Sequence, residues 1–197
     1  MLKEKLKAYN LILASSSPRR KTFLELMDLD FIIKLKPVSE IYPEHLKAHE
    51  ITDYLAKLKA KPFLSTLSNR DILITSDTIV WHNNKAIGKP KDEVDAFKVM
   101  QALSNTTHKV ITSICVTLNT QQHIAHTTTK VTFKALSNDE IWYYITKYKP
   151  LDKAGAYGIQ EWIGTIAITN IEGSYNNVVG LPTHLLYETL NTIAESI

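Results

Sequence analysis

Leu13-Ala14-Ser15-Ser16-Ser17-Pro18-Arg19-Arg20 decides how this chain is read. Residues 9–14 form an apolar run of strand length, and beyond Pro18 the apolar Leu24, Leu26 and Met27 fall among polar residues as in an amphipathic helix. The pattern predicts a strand, a tight serine loop and a helix N-terminus. Ser17 suits the N-cap, because its hydroxyl can accept from a backbone N–H of the first turn. Pro18 suits the first helical position, where its missing N–H would have had no intrahelical partner. Free N–H groups and the positive end of the helix dipole then face the loop. Arg19 and Arg20 sit at the unfavourable end of that dipole, a conflict that a bound anion would remove. A phosphate site of serine hydroxyls, helix N–H groups and guanidinium forks fits the stretch, and so does a solvated basic helix start.

Outward from this stretch the pattern alternates between strands and helices. Residues 31–35 read as a second strand, and residues 44–67 as a helix that Pro62 ends or kinks. Residues 71–81 read as a buried strand interrupted by Ser76-Asp77-Thr78, then a turn at Asn83-Asn84-Lys85, a loop at Gly88-Lys89-Pro90 and a helix over 92–103. Residues 110–118 and 124–133 read as paired strands. Ser137 and Glu140 have the spacing of a capping box that opens a helix through Ile145. A glycine-rich loop over 149–164, a strand over 166–171, a loop over 173–182 and a closing helix over 182–193 complete the chain. The pattern predicts a mixed α/β fold in one domain, 1–197.

Composition sets bounds on function. With 197 residues, 44% of them hydrophobic and 22% charged, the chain can bury a sizeable core. Its formal charge of +3 is too small to argue for nucleic acid, and no apolar run is long enough for a membrane span. The N-terminal lysines precede too short an apolar stretch for a signal peptide, so a cytoplasmic location is expected. The single cysteine, Cys115, lies in an apolar run and reads as core filling. The seven histidines show no metal-ligand spacing and there is no Cys/His cluster, so no zinc site is expected.

The polar residues that interrupt apolar runs carry the chemistry. Asp77, between Ile72-Leu73-Ile74 and Ile79-Val80-Trp81, would be costly to bury without a metal, a cation or several donors. It reads as a strand-end ligand group, against the alternative of a structural cap. Lys57, Lys59 and Lys61 cannot all share one helix face, so a solvated role fits two of them. Lys89 sits between two backbone-restricted residues, and His108 reads as a structural hydrogen-bonder. In Asp152-Lys153-Ala154-Gly155-Ala156-Tyr157-Gly158-Ile159-Gln160, the Gln160 amide offers donors and an acceptor to a base edge or a water.

Jointly and in order, Leu13 through Arg20, Ser76-Asp77-Thr78, Gly88-Lys89-Pro90, Lys153 through Gln160 and Gly173-Ser174-Tyr175 through Gly180-Leu181-Pro182 resemble the Maf family, also called septum formation inhibitor proteins. That resemblance implies a mixed twisted sheet with flanking helices and a central cleft between two lobes, similar to the inosine triphosphate pyrophosphatases. It implies hydrolysis of a nucleoside triphosphate to the monophosphate and pyrophosphate with Mg²⁺ or Mn²⁺. Asp77-Thr78 and the Gln160 segment are similar to the branch acting on dTTP and UTP, with modified pyrimidine nucleotides as further candidates. Carried onto this chain, Ser15 and Arg19 hold phosphate oxygens with Ser17 and Arg20 assisting. Asp77 and Glu40 hold the metal, and one of them activates water. Lys59, in Leu55-Ala56-Lys57-Leu58-Lys59-Ala60, and Lys89 stabilise the leaving pyrophosphate, and Gln160 positions base or water.

Some positions depart from the family's pattern. Ser39-Glu40 stands where Asp-Glu is usual, Ser76 where alanine is common, Lys149 where Glu precedes the proline, Glu161 where Gly is common, and Asn105 in place of a glycine. The missing acid beside Glu40 keeps a second reading in view, a nucleotide-binding regulator of cell division without turnover. Exposed strand edges leave a homodimer open.

Overall fold

The computed structural model describes residues 1–196. In chain order, α1 (Leu2–Lys5), β1 (Asn10–Leu13), α2 (Pro18–Leu26) and β2 (Phe31–Ile33) come first, and α3 (His49–Ala60) then runs into a 3-10 turn at Lys61–Thr66. Next are β3 (Asp71–His82), β4 (Lys85–Ile87), α4 (Glu93–Leu103), β5 (Thr107–Leu118) and β6 (Gln121–Phe133). The chain closes with α5 (Asn138–Tyr148), 3-10 turns at Pro150–Asp152 and Ala154–Ala156, α6 (Trp162–Ala167), β7 (Ile168–Glu172), α7 (Tyr175–Val179) and α8 (Thr183–Glu195). The strands form one sheet in the order β2-β1-β3-β5-β6-β7, with β4 paired to β3. β1 is parallel to both β2 and β3, whereas β4 and β7 are antiparallel to their partners. The expected mixed sheet with flanking helices is therefore present. By their contacts the described residues group into two compact units, Met1–Asp77 with Thr112–Thr127 and residues 180–196, and Thr78–Ile111 with Thr128–Val179.

In the first unit the period of two along the strands sends alternate residues to opposite faces, and both faces are apolar. Leu11, Leu13, Ile72, Ile74, Ile114 and Val116 pack with Leu24 of α2 and with Leu186, Leu190 and Ile193 of α8. Ile12, Leu73 and Cys115 pack with Ala56 and Ala60 of α3 and with Phe63. Cys115 fills the core as expected, and burial pushes its thiol up. The expected helix over 44–67 is shorter than its apolar spacing suggested. Ala48, at φ 48°, takes a left-handed conformation that stops α3 from extending toward residue 44, and the helix gives way to the 3-10 turn just before Pro62. The short α1, in a stretch without a clear apolar period, was not expected.

In the second unit Asn83 and Asn84, at φ 48° and 58°, make the tight turn that joins β3 to β4. Ser137 and Glu140 complete the expected capping box, and α5 runs one turn beyond Ile145. His108, Phe133 and Tyr157 form a buried aromatic cluster in which His108 Nε2 and the Tyr157 hydroxyl are 2.8 Å apart. Burial drives the His108 imidazole down to about 4, and His82 adds to the shift. Two expectations are corrected here. Residues 162–167, expected to be loop followed by strand, form α6, and β7 begins only at Ile168. Gly164, read as a loop signal, is inside that helix, where a Cβ would lie 1.9 Å from the Ile159 carbonyl oxygen and only glycine allows the approach. The expected loop over 173–182 likewise contains α7.

Candidate active site

The first unit holds seven of the expected site residues, Ser15, Ser17, Arg19, Arg20, Glu40, Lys59 and Asp77. Ser17 is the N-cap of α2, its Oγ accepting from Arg20 N at 3.4 Å. The Ser15 Oγ accepts from Ser17 N at 3.2 Å and from Arg20 Nη1 at 3.4 Å, so its own hydrogen is the donor it can offer to an anion. The Arg20 fork also donates to the Gly180 carbonyl through Nε and to the Ser76 carbonyl through Nη1, each at 2.9 Å. The second of these prolongs a ladder. The β1–β3 register ends at Leu13–Ile74, Ala14 N donates to Ile74 O, and the next carbonyl on that edge of β3 belongs to Ser76. Burial lowers the Arg20 guanidinium from its ordinary value, Asp77 and Glu40 oppose the shift, and neighbouring Arg19 adds to it.

Asp77 is 5% exposed on β3. Its Oδ1 accepts from Lys59 Nζ at 2.6 Å, and the same ammonium lies 3.2 Å from Glu40 Oε1. The other carboxylate oxygen, Oδ2, and the Ser76 hydroxyl are buried with no hydrogen-bond partner among the described residues. Burial pushes the Asp77 carboxyl above its usual range, Lys59 and Arg20 pull it back, and Glu40 raises it further. Lys59 is the half-buried lysine of its helix end, whereas Lys57 and Lys61 are exposed, as the spacing implied.

The second unit holds Lys89 and Gln160, both exposed. The lysine loop is tied to the glycine loop by Gly155 N donating to Gly88 O at 3.0 Å. Gly155 is at φ 74°, and a Cβ there would lie 2.6 Å from Val80 Cγ2, so no other residue allows this approach without a shift. Gln160 is in a turn closed by Glu161 N to Gly158 O at 3.0 Å, just ahead of α6.

Sequence reasoning assigned no role to the polar cluster beside that turn. Buried Lys153 contacts Asp152 Oδ1 at 2.8 Å and Glu161 Oε1 at 3.1 Å. The Tyr144 hydroxyl donates to Glu161 Oε2 and accepts from Gly158 N. Burial, reinforced by Glu161, pushes the Tyr144 phenol far up. Lys149, the other departure near this loop, pairs with Glu93 of α4. These partners are remote in sequence or fall in irregular chain, so no spacing pointed to them.

The model of the Maf-like protein family matches residues 10–193. The chain belongs to the Maf family. It is similar to a dTTP/UTP pyrophosphatase of Flavobacterium johnsoniae, with 61% identity covering 98% of this chain and 100% of the relative. A dTTP/UTP pyrophosphatase of Flavobacterium psychrophilum is 56% identical, covering 95% of this chain and 96% of the relative. Among solved structures, the Staphylococcus aureus Ham1 protein matches with a TM-score of 0.50 and 16% identity over 93% of this chain and 99% of that one, a likeness of fold alone. Among the Maf motif residues of the first unit, Ser15, Ser17 and Arg20 are joined by hydrogen bonds to the two serine hydroxyls, Glu40 and Asp77 share Lys59, and Arg20 reaches the backbone carbonyl of Ser76, the residue before Asp77.

Proposed function

We propose that this chain is a nucleoside triphosphate pyrophosphatase that hydrolyses dTTP and UTP to the monophosphate and pyrophosphate. The observation that carries the reading is Asp77, a buried carboxylate with one oxygen on Lys59 and the other without a partner, next to the serine loop at the start of α2. The names of the two Flavobacterium relatives support the nucleotides and favour turnover over a regulator without it.

The residues fit a hard divalent cation. Carboxylate oxygens are the donors Mg²⁺ and Mn²⁺ prefer, Asp77 Oδ2 has no hydrogen-bond partner among the described residues, and Glu40 Oε1 shares Lys59 with Asp77. Asp77 and Glu40 would hold the ion, which supplies charge neutralisation at the phosphates. Ser15, Ser17 and the N–H groups of α2 bind phosphate oxygens beside Arg19, and Arg20 keeps the loop in shape through its carbonyl contacts. Water attacks the α-phosphorus and the bridging oxygen leaves with pyrophosphate. The proton passes to a carboxylate, a role that suits Asp77 because its burial raises its affinity for protons. Lys59 and Lys89 stabilise charge on the leaving group, and Gln160 positions base or water, following the Maf motifs.

We further propose that residues 1–197 act as one domain, in the cytoplasm, on a small nucleotide and without nucleic acid or membrane partners. Among the described residues no helix is long and apolar enough to cross a membrane. A homodimer is supported by β2, an edge strand with Ile32 and Ile33 exposed. The test is pyrophosphate release from dTTP, UTP, CTP, GTP and ITP with Mg²⁺ or Mn²⁺, with Asp77→Asn as control. Preference for dTTP and UTP that disappears in the variant is expected, and a folded Asp77→Asn with full turnover overturns the mechanism.

A further inference from the structure

His49 and Asp53 are one helical turn apart on α3, and β6 brings His126 against them. One ligand atom from each of the three lies within 4.8 Å of the others. The two imidazoles stack, with centroids 4.1 Å apart and planes at 22°, and His126 Nδ1 is 3.3 Å from Asp53 Oδ2. The carboxylate is also oriented from behind. Ser113 Oγ of β5 donates to Asp53 Oδ1 at 2.7 Å and is itself 2.6 Å from Thr52 Oγ1. That second layer leaves Oδ2 turned to the imidazoles, the arrangement by which outer hydrogen bonds fix a ligating carboxylate.

We infer that His49, Asp53 and His126 form a second cation site, for a borderline divalent transition ion of the Zn²⁺, Co²⁺ or Ni²⁺ class. Two imidazoles and one carboxylate are the donor set such ions prefer, whereas the all-oxygen pair Asp77 and Glu40 suits Mg²⁺ or Mn²⁺. Zinc bonds of about 2.0–2.1 Å in tetrahedral array put ligand atoms about 3.3 Å apart. The Asp53–His126 pair already has that spacing, and His49, exposed on the first turn of α3, closes the remainder by side-chain rotation. Water fills the fourth position. The sequence concealed the site because His126 reaches it from β6, remote in the chain, and the i, i+4 pair on α3 is a histidine with an aspartate. The ion would tie α3 to β6 and, through Ser113, to β5. None of its three ligands belongs to the set proposed for catalysis, so the site stands or falls independently of that reading.

The test is calorimetric titration of the full-length protein with Zn²⁺ in excess Mg²⁺, alongside the visible spectrum of the Co²⁺ form. One equivalent is expected to bind and to raise the melting temperature. His126→Ala and Asp53→Asn should each weaken binding by about tenfold or more. Asp77→Asn should bind Zn²⁺ normally, and His126→Ala should retain wild-type pyrophosphate release. Intense Co²⁺ bands of a four-coordinate ion are expected in the unmutated protein, which keeps the test valid if a variant folds poorly. The proposal is overturned if Zn²⁺ gives no binding heat, if a folded His126→Ala binds like wild type, or if Asp77→Asn abolishes binding.

Discussion

Each unit of the molecule holds a lysine between two carboxylates, and the two triads differ in what they leave over. Lys59 lies between Asp77 and Glu40, and Lys153 lies between Asp152 and Glu161. In the first, the carboxylate is the buried member and keeps an oxygen without a hydrogen-bond partner among the described residues. In the second, the lysine is the buried member, and both oxygens of Glu161 are engaged, one by Lys153 and one by Tyr144. A saturated network braces a fold, while a buried acceptor with capacity left over costs stability unless something binds it. The contrast supports the chemistry proposed for the first triad and a bracing role for the second.

Breaking the first triad should have the largest effect. Asp77→Asn is expected to lower kcat for dTTP by about 10³-fold while the protein still melts cooperatively, measured by pyrophosphate release and circular dichroism. In the second triad Glu161→Ala should do the reverse, costing about 2 kcal/mol in urea unfolding with kcat within about twofold of wild type, since Tyr144 and Lys153 lose a shared partner. A larger loss of kcat than of stability there would erase the distinction. Glu40→Gln should fall between, with a roughly tenfold loss of activity that higher Mg²⁺ partly restores, because Glu40 is exposed and shares its lysine with Asp77.

A third buried group gives a check by pH. His108 is held near 4 when folded, below the ordinary imidazole value of 6.5, so the unfolded chain takes up the extra proton. Its contribution to stability is fully present above pH 6.5 and is lost as pH falls toward 4, by on the order of 3 kcal/mol. Urea midpoints across that range should show the loss, and His108→Gln should flatten that part of the slope. An unchanged slope in the variant would assign the acid sensitivity elsewhere.

Features that depend on near neighbours in the chain were legible in the sequence. Ser17 and Pro18 announced the start of α2, Ser137 and Glu140 that of α5, and the apolar run around Cys115 a buried strand. The Maf motifs supplied the candidate site residues, but their pairing was not visible, because Lys59 meets Asp77 only after α3 packs across β1 and β3. α6 and α7 were missed because helices of five or six residues show little periodicity, and Gly164 reads as a breaker until its contact with Ile159 is seen. The Lys153 cluster depends on 3-10 turns and on a phenol from α5, for which sequence spacing has no signature.

The contact of Arg20 with the Ser76 carbonyl has a consequence for how this loop can drift through evolution. The guanidinium recognises a main-chain oxygen, which every amino acid carries, so position 76 can exchange alanine for serine without disturbing the brace. Residue 20 has no such latitude, because lysine lacks the fork that spans Gly180 and Ser76 together. Neutral variation is thus tolerated at one end of the contact and barred at the other, next door to Asp77.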